Sequence, residues 1–462
     1  MGKVKIGLLP LYVKLYDDGA PAMRERVNPF TEEIKSIFAS REDVELVSAD
    51  ICRLEDEFAA AVANFEAEKV DSIVTIHLAY SPSLQSEKVL KNTNLPIVIL
   101  DTTPTYAFTS DDDKAVISYN HGIHGVQDMC NLLVRNNKEF FIEAGHYKES
   151  DVIERVVSRV KGIKAAKAFS SSKVGLIGGS FAGMGDFVIS EETYKNLGIE
   201  VINLTPEKAK EIDATVTEAE VDALIASDNE KYIQSEDLPQ DVYRRTARGS
   251  LVVRKFIEEN NLTAFSANFL KVDEAFGIGG MPFSEANRAM ERGIGYAGEG
   301  DALNAALVGA FMSVSDEASF IEMFCPDWKD EMIFISHMGE MNLNVAAYKP
   351  TIFHTPMKYS DIDTVKIVST YKAGMATLIS LVPVADGKFR LVSSLVEMKT
   401  PDCKKLAAGA IKGWFTPNKP IAEFLCDYSK LGGPHHLALM YGDSRHFAET
   451  FAKSLSFEYF EI

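Results

Sequence analysis

The chain has 462 residues, of which 46% are hydrophobic and 25% charged, the balance of a soluble globular protein large enough for two or three domains. Lys and Arg total 48 against 67 Asp and Glu, a net charge of -19 with no basic block. Nucleic acid and an anionic membrane surface are therefore poor partners, whereas a small neutral molecule or a divalent cation is compatible.

Lys3-Val-Lys-Ile-Gly-Leu-Leu-Pro10 reads as a first strand that delivers its end to a loop. Lys14, Asp17 and Asp18 break the apolar stretch too early for a signal peptide, and Ile6 stands where myristoylation needs Ser or Thr. No later run is long enough to span a bilayer, and a cytoplasmic protein is expected. A helical period through Phe30, Ile34 and Phe38 precedes a strand at Val44–Val47. A helix around Leu54–Phe65, the strand Ser72–Leu78, a helix near Leu84–Leu90 and the strand Pro96–Asp101 come next. Short β-rich runs alternating with helical periods predict a parallel sheet covered by helices, with ligands gathered beyond the C-terminal strand ends.

The small, polar stretch Lys164–Lys173 reads as the first domain boundary. Val174–Gly179, Ile199–Leu204 and Thr263–Phe269 are strands of a second alternating unit, with helices over 207–236 and 242–259. Beyond about residue 313, Thr364–Tyr371, Met375–Val384 and Phe389–Val396 are strand-like, and Asp386-Gly387 supplies a hairpin turn between the last two. The expected architecture is α/β: two consecutive parallel-sheet domains, residues 1–168 and 169–312, then a mainly antiparallel, barrel-like β domain, residues 313–462. Cys52, Cys130, Cys325, Cys403 and Cys426 lack any Cys-x-x-Cys spacing, so buried thiols in a reducing compartment are expected rather than disulfides or a zinc knuckle.

In Tyr296-Ala-Gly-Glu-Gly-Asp301, two glycines hold Glu299 on a tight loop just before the helical run Ala302–Phe311, with Asp301 as N-cap. Ser319-Phe-Ile-Glu322, Ile335-Ser-His337-Met and Gly432-Gly-Pro-His-His436 each put a potential ligand beside small or apolar residues. Two carboxylates and two imidazoles make a mixed oxygen and nitrogen set suited to Mn²⁺, Fe²⁺ or Co²⁺ more than to Ca²⁺. On a six-coordinate ion such a set leaves room for two neighbouring sugar oxygens. Each residue alone also has an ordinary structural reading, as a backbone-bonded histidine or a capping glutamate, and their distance in sequence does not assemble them. His121 and His124 fit either metal ligation or a polar helix start. The glycines at 178, 179, 183 and 185 have the look of a phosphate cradle, but no lysine follows and the dinucleotide fingerprint is absent. Gly277-Ile-Gly-Gly280 reads as a turn.

Taken in order, these islands resemble the metal-site segments of the L-arabinose isomerase and L-fucose isomerase superfamily, most closely its arabinose isomerase branch. Upstream, His77-Leu-Ala-Tyr-Ser-Pro82 is similar to that branch's His-Thr-Phe-Ser-Pro. Asn120-His-Gly-Ile-His-Gly125 is similar to its Asn-Gln-Thr-Ala-His-Gly, and Thr263-Ala-Phe-Ser-Ala-Asn-Phe269 to its Thr-Ala-Phe-Thr-Thr-Thr-Phe. The resemblance implies that Glu299, Glu322, His337 and His436 bind a divalent metal, usually Mn²⁺, and that Glu299 and Glu322 serve as acid and base. It places Tyr80, His121, His124, Phe269 and Phe181 at substrate-contacting positions. It also implies a homo-oligomer in which a neighbour's N-terminal domain completes the pocket. Where the family has Phe and Gln this chain has Tyr80 and His121, and the family's Gln-containing strand end is here Leu8-Leu-Pro-Leu-Tyr12. These departures lie on the substrate side and leave L-arabinose unspecified. The expected function is a metal-dependent aldose–ketose isomerase acting through a cis-enediolate on an open-chain pentose or deoxyhexose. The alternatives are a non-catalytic sugar-binding paralogue of the same fold and a metal-dependent hydrolase.

Overall fold

The computed structural model describes residues 2–356, 362, 364–401 and 410–462; Cys403 lies outside the described residues. The chain forms two compact units, Gly2–Lys164 and Ala165–Ile462.

In the first unit, β1 (Val4–Leu11), β2 (Val44–Ser48), β3 (Ser72–His77), β4 (Ile97–Asp101) and β5 (Phe141–Ala144) form one sheet in the order β2-β1-β3-β4-β5, parallel throughout. Every residue of β3 is buried, as expected of a strand covered on both faces. Phe30, Ile34 and Phe38 lie on the buried stripe of the helix Met23–Ala39, and Phe58, Val62 and Phe65 on that of Glu55–Ala67. The strand order reverses between β1 and β3, which makes the loops after those strands the natural place for a ligand.

The second unit contains β6 (Lys173–Ile177), β7 (Glu200–Leu204), β8 (Ile233–Gln234), β9 (Ala264–Ala267) and β10 (Gly295–Gly298). It continues with β11 (Ala318–Asp327), β12 (Met332–Ser336), β13 (Thr351–His354), β14 (Val365–Val368), β15 (Gly374–Pro383), β16 (Phe389–Lys399), β17 (Gly413–Pro417), β18 (His436–Tyr441) and β19 (Glu458–Glu461). A parallel sheet runs β10-β9-β6-β7, while β8 leaves it to join β13 and β14. Six antiparallel strands, β15-β18-β11-β12-β17-β16, close into a barrel through pairing of β15 with β16, and β19 adds alongside β16. The expected fold class, parallel α/β sheets followed by an antiparallel barrel, is the one observed. Asp386 and Gly387 have φ of 60° and 67°, the left-handed pair that a tight hairpin requires.

Between the parallel sheet and the barrel lies the helix Ala302–Met312, buried at every position and packed against β9, β10, β11 and β18. A helix apolar on all sides must be central, and full burial of Leu303, Leu307, Val308 and Phe311 contributes about 1.5–3 kcal/mol each. It anchors both the loop before it and the barrel wall beside it.

The two units divide between Lys164 and Ala165, inside the stretch read as a boundary, and its residues up to Phe169 complete the helix Val152–Phe169, with Ala165, Ala166 and Phe169 buried, because alanines favour helix and pack closely. Two expectations need correction. The helical stretch 207–236 is split into Pro206–Asp213 and Glu218–Lys231, where Thr217 and Glu220 form a capping box, followed by the short β8. Of the described cysteines, all free, Cys52 alone is buried, Cys130 is half-buried, and Cys325 and Cys426 are exposed. No helix among the described residues is long and apolar enough to cross a membrane.

Candidate metal centre

At the end of β10 the chain reverses through Gly298, Glu299 and Gly300. A Cβ on Gly298 would lie 2.3 Å from Cε1 of His337, and one on Gly300, whose φ is +79°, would lie 2.2 Å from the Gly179 carbonyl oxygen. The glycines are thus required by close approach. Glu299 itself has φ of 63°, a left-handed conformation that costs a non-glycine residue about 1–3 kcal/mol and is tolerated mainly where function needs it. Asp301 caps the buried helix, accepting from the Asn304 amide at 2.8 Å. Its other oxygen lies 2.9 Å from Nδ1 of His436.

Barrel register brings the remaining residues to the same place. Glu322 on β11 stands opposite His436, the first residue of β18, and on its other side opposite Ser336, the last residue of β12, after which comes His337. Nε2 of His436 is 3.6 Å from Oε2 of Glu299, and Nε2 of His337 is 3.7 Å from Oε2 of Glu322. The ligand atoms of Glu299, His337 and His436 all lie within 4.8 Å of one another. Glu322 is not one of that group of three and meets it at His337.

Both imidazoles are aimed by a carboxylate behind them. Nδ1 of His337 bonds Glu340 at 2.8 Å, and the Tyr296 hydroxyl donates to the other oxygen of Glu340 at 2.9 Å. Asp301 does the same for His436. This carboxylate–imidazole arrangement is what orients histidines toward metals. Nε2 of His436 is buried with no hydrogen-bond partner among the described residues, a state that costs about 1–3 kcal/mol unless something occupies the position. Phe320 presents an edge to both rings, at 4.8 and 5.0 Å, and Phe187 stacks on His436 at 5.3 Å. The donor set and the orphaned nitrogen fit a divalent cation.

The electrostatics divide the two glutamates. Burial raises the Glu299 carboxyl, but His435, His337 and His436 outweigh it and leave Glu299 below its ordinary range. At Glu322 burial wins over His337 and His435, and the carboxyl lies above its ordinary range. Burial holds His436 well below its usual value, hence neutral as a metal ligand must be, and pushes Asp301 up to about 8. At His337 burial is outweighed by Glu340, which raises it.

Phe181 and Phe269 lie beside this group. Their ring centroids are 5.6 Å apart, and the Phe181 amide donates to the Glu299 carbonyl at 2.9 Å. In the Gly2–Lys164 unit, Tyr80 follows β3, His121 is the N-cap of the helix Gly122–Arg135, and His124 lies in its first turn. The His121 and His124 rings are 4.3 Å apart, with Tyr80 at 6.3 and 6.0 Å from them, so these three form a cluster at the reversal point of that sheet. Sequence reasoning missed Glu340, Asp186, the Tyr296 hydroxyl and the second task of Asp301. The signal for Glu340 was its i, i+3 spacing from His337; Asp186 left none.

Profiles of the L-arabinose isomerase central domain and of the L-arabinose isomerase C-terminal domain match residues 184–317 and 317–458. The L-arabinose isomerase of Shouchella clausii is 25% identical over 84% of this chain and 80% of its own length. That of Herpetosiphon aurantiacus is 25% identical over 91% and 86%, and that of Thermotoga maritima 26% over 87% and 82%. With both profiles matched in order and full-length relatives at this level of identity, the chain belongs to the L-arabinose isomerase family, as a divergent member.

Proposed function

We propose that this protein is an aldose–ketose isomerase that holds a divalent metal, Mn²⁺ by preference, on Glu299, Glu322, His337 and His436. The observation that carries the reading is the convergence of Glu299 and two carboxylate-aimed imidazoles on one point, one of them with a buried, unpartnered nitrogen. A bound divalent ion supplies polarisation of the sugar carbonyl and a point of attachment for adjacent oxygens. One of Glu299 and Glu322 accepts the proton from C2 of the open-chain sugar and the other delivers one at C1 through a cis-enediolate, while the hydroxyl proton on O2 passes to O1. Phe181 and Phe269 exclude water on one side of the substrate. Tyr80, His121 and His124 contact it from the N-terminal domain of a neighbouring copy in a homo-oligomer. The three-part division 1–168, 169–312 and 313–462, a pentose or deoxyhexose substrate and a cytoplasmic setting belong to the same reading.

The test is to incubate the Mn²⁺-loaded protein with a panel of aldopentoses and 6-deoxyhexoses and to follow ketose formation. Glu299→Gln and Glu322→Gln, folded as the parent, should each lower the rate by about 10²–10⁴. A Glu299→Gln protein isomerising at the parent rate would sink the reading, and a cleaved product in place of an isomer would point to hydrolysis.

A further inference from the structure

The glycine-rich segment from Gly178 to Phe187 binds no phosphate in the reading above, and its backbone is committed elsewhere. Ser180 Oγ donates to the Gly300 carbonyl at 3.0 Å, and the Phe181 amide donates to the Glu299 carbonyl at 2.9 Å. Phe187 stacks on His436 with an interplanar angle of 15°. Asp186 makes the most specific contact: its Oδ2 accepts from the His435 amide at 3.0 Å and lies 2.6 Å from Nδ1 of the same ring. Two bonds onto one oxygen fix both the backbone and the ring of His435. The opposite nitrogen, Nε2, then faces Oε2 of Glu299 at 3.5 Å, with no hydrogen-bond partner among the described residues.

His435 is therefore held between two carboxylates, one of them the strained glutamate at the centre, and the reaction as derived uses neither His435 nor Asp186. We propose that Asp186 is a positioning residue of the metal centre: through its two bonds to His435 it fixes the carboxylate of Glu299 toward the ion. The glycine-rich segment is a strap from the parallel-sheet part of the unit, and Asp186 is its buckle. The inference rests on the metal-dependent isomerase reading and adds to it a residue outside the ligand set. Removing an outer partner of a metal ligand typically costs about 10–100-fold in affinity or activity.

Calorimetric titration of the full chain with Mn²⁺ alone tests it. Asp186→Ala should weaken Mn²⁺ binding by about tenfold or more, with a melting midpoint close to the parent's because Asp186 is exposed. Asp186→Asn, which keeps an oxygen for both bonds, should restore binding to within about a factor of two of the parent. Asp186→Ala combined with His435→Asn should bind no worse than His435→Asn alone, since the aspartate acts only through that ring. Parent-like binding by Asp186→Ala, failure of the Asn variant to rescue, or losses that multiply in the double variant would each overturn the proposal. A parent chain that binds no Mn²⁺ would overturn the isomerase reading with it, whereas a parent that binds beside an indifferent Asp186→Ala would overturn the positioning role alone.

Discussion

Glu340 is fully buried, yet both its oxygens are used, one by His337 and one by Tyr296. Burial would push such a carboxyl up; the imidazole and the phenol outweigh burial and hold it below its ordinary range. A buried carboxylate that faces a neutral metal ligand raises that ligand's basicity, so its worth is paid out in metal affinity more than in folding. Glu340→Gln keeps the shape and loses the charge. We expect it to remain folded and to bind Mn²⁺ about 10–100-fold more weakly, read from the metal concentration that half-restores isomerase activity; an unchanged half-point would make Glu340 a packing residue. Glu299, Glu322, His337 and His436 stood out in the sequence among small or apolar neighbours, and only the resemblance of those motifs to the family grouped them. Glu340 and Asp186 did not stand out: a supporting carboxylate is defined by what it faces, and a surface-like aspartate after Gly185 looks the same whether it meets water or His435.

Among the elements, Asp43 joins three. It precedes β2, its carboxylate meets Arg41, just past the helix Met23–Ala39, at 2.9 Å, and it receives Lys161 from the helix Val152–Phe169 at 2.8 Å. Burial raises this carboxyl, but Arg41 and Lys161 outweigh burial and bring it down to about 2. The sign follows from linkage: a group more acidic when folded than unfolded stabilises the fold above its unfolded value near pH 4 and loses that contribution as pH falls toward 2. The melting midpoint of Asp43→Asn should therefore lie below the parent's at pH 6 and approach it as pH is lowered toward 2.5. A gap that stays constant with pH would mean that the charge on Asp43 is immaterial. Elements themselves were readable where their signals are local. The buried helix Ala302–Met312 follows from its unbroken apolar run and its aspartate cap, and the β15–β16 hairpin from Asp386-Gly387. That Lys164–Phe169 completes a helix was not legible, because an alanine-rich helix end and a small polar loop share a composition and burial decides between them.

For the whole molecule, the Gly2–Lys164 unit carries Tyr80, His121 and His124 together with exposed Leu84, Tyr106 and Phe108 at 73%, 71% and 57%. Large apolar side chains left in water beside a set of expected substrate contacts are what a copy-to-copy interface requires. If a neighbour completes each pocket, Tyr80→Ala and Glu299→Gln proteins, each nearly inactive, should regain activity when mixed under conditions that allow subunits to exchange, because some hybrid sites receive both intact halves. Failure of any mixture to recover activity, with exchange confirmed by mass, would place each site within one chain. By itself the sequence determined the alternation of strands and helices and the glycine-held glutamate with its capping aspartate, since period and turn chemistry are written in near neighbours. Only the tertiary structure decided that six strands close into a barrel, that Glu322 falls opposite His436 and beside His337, and that His435 turns to Asp186. Those outcomes depend on strand register and on which carboxylate waits behind each ring, and both are set by contacts between segments far apart in the chain.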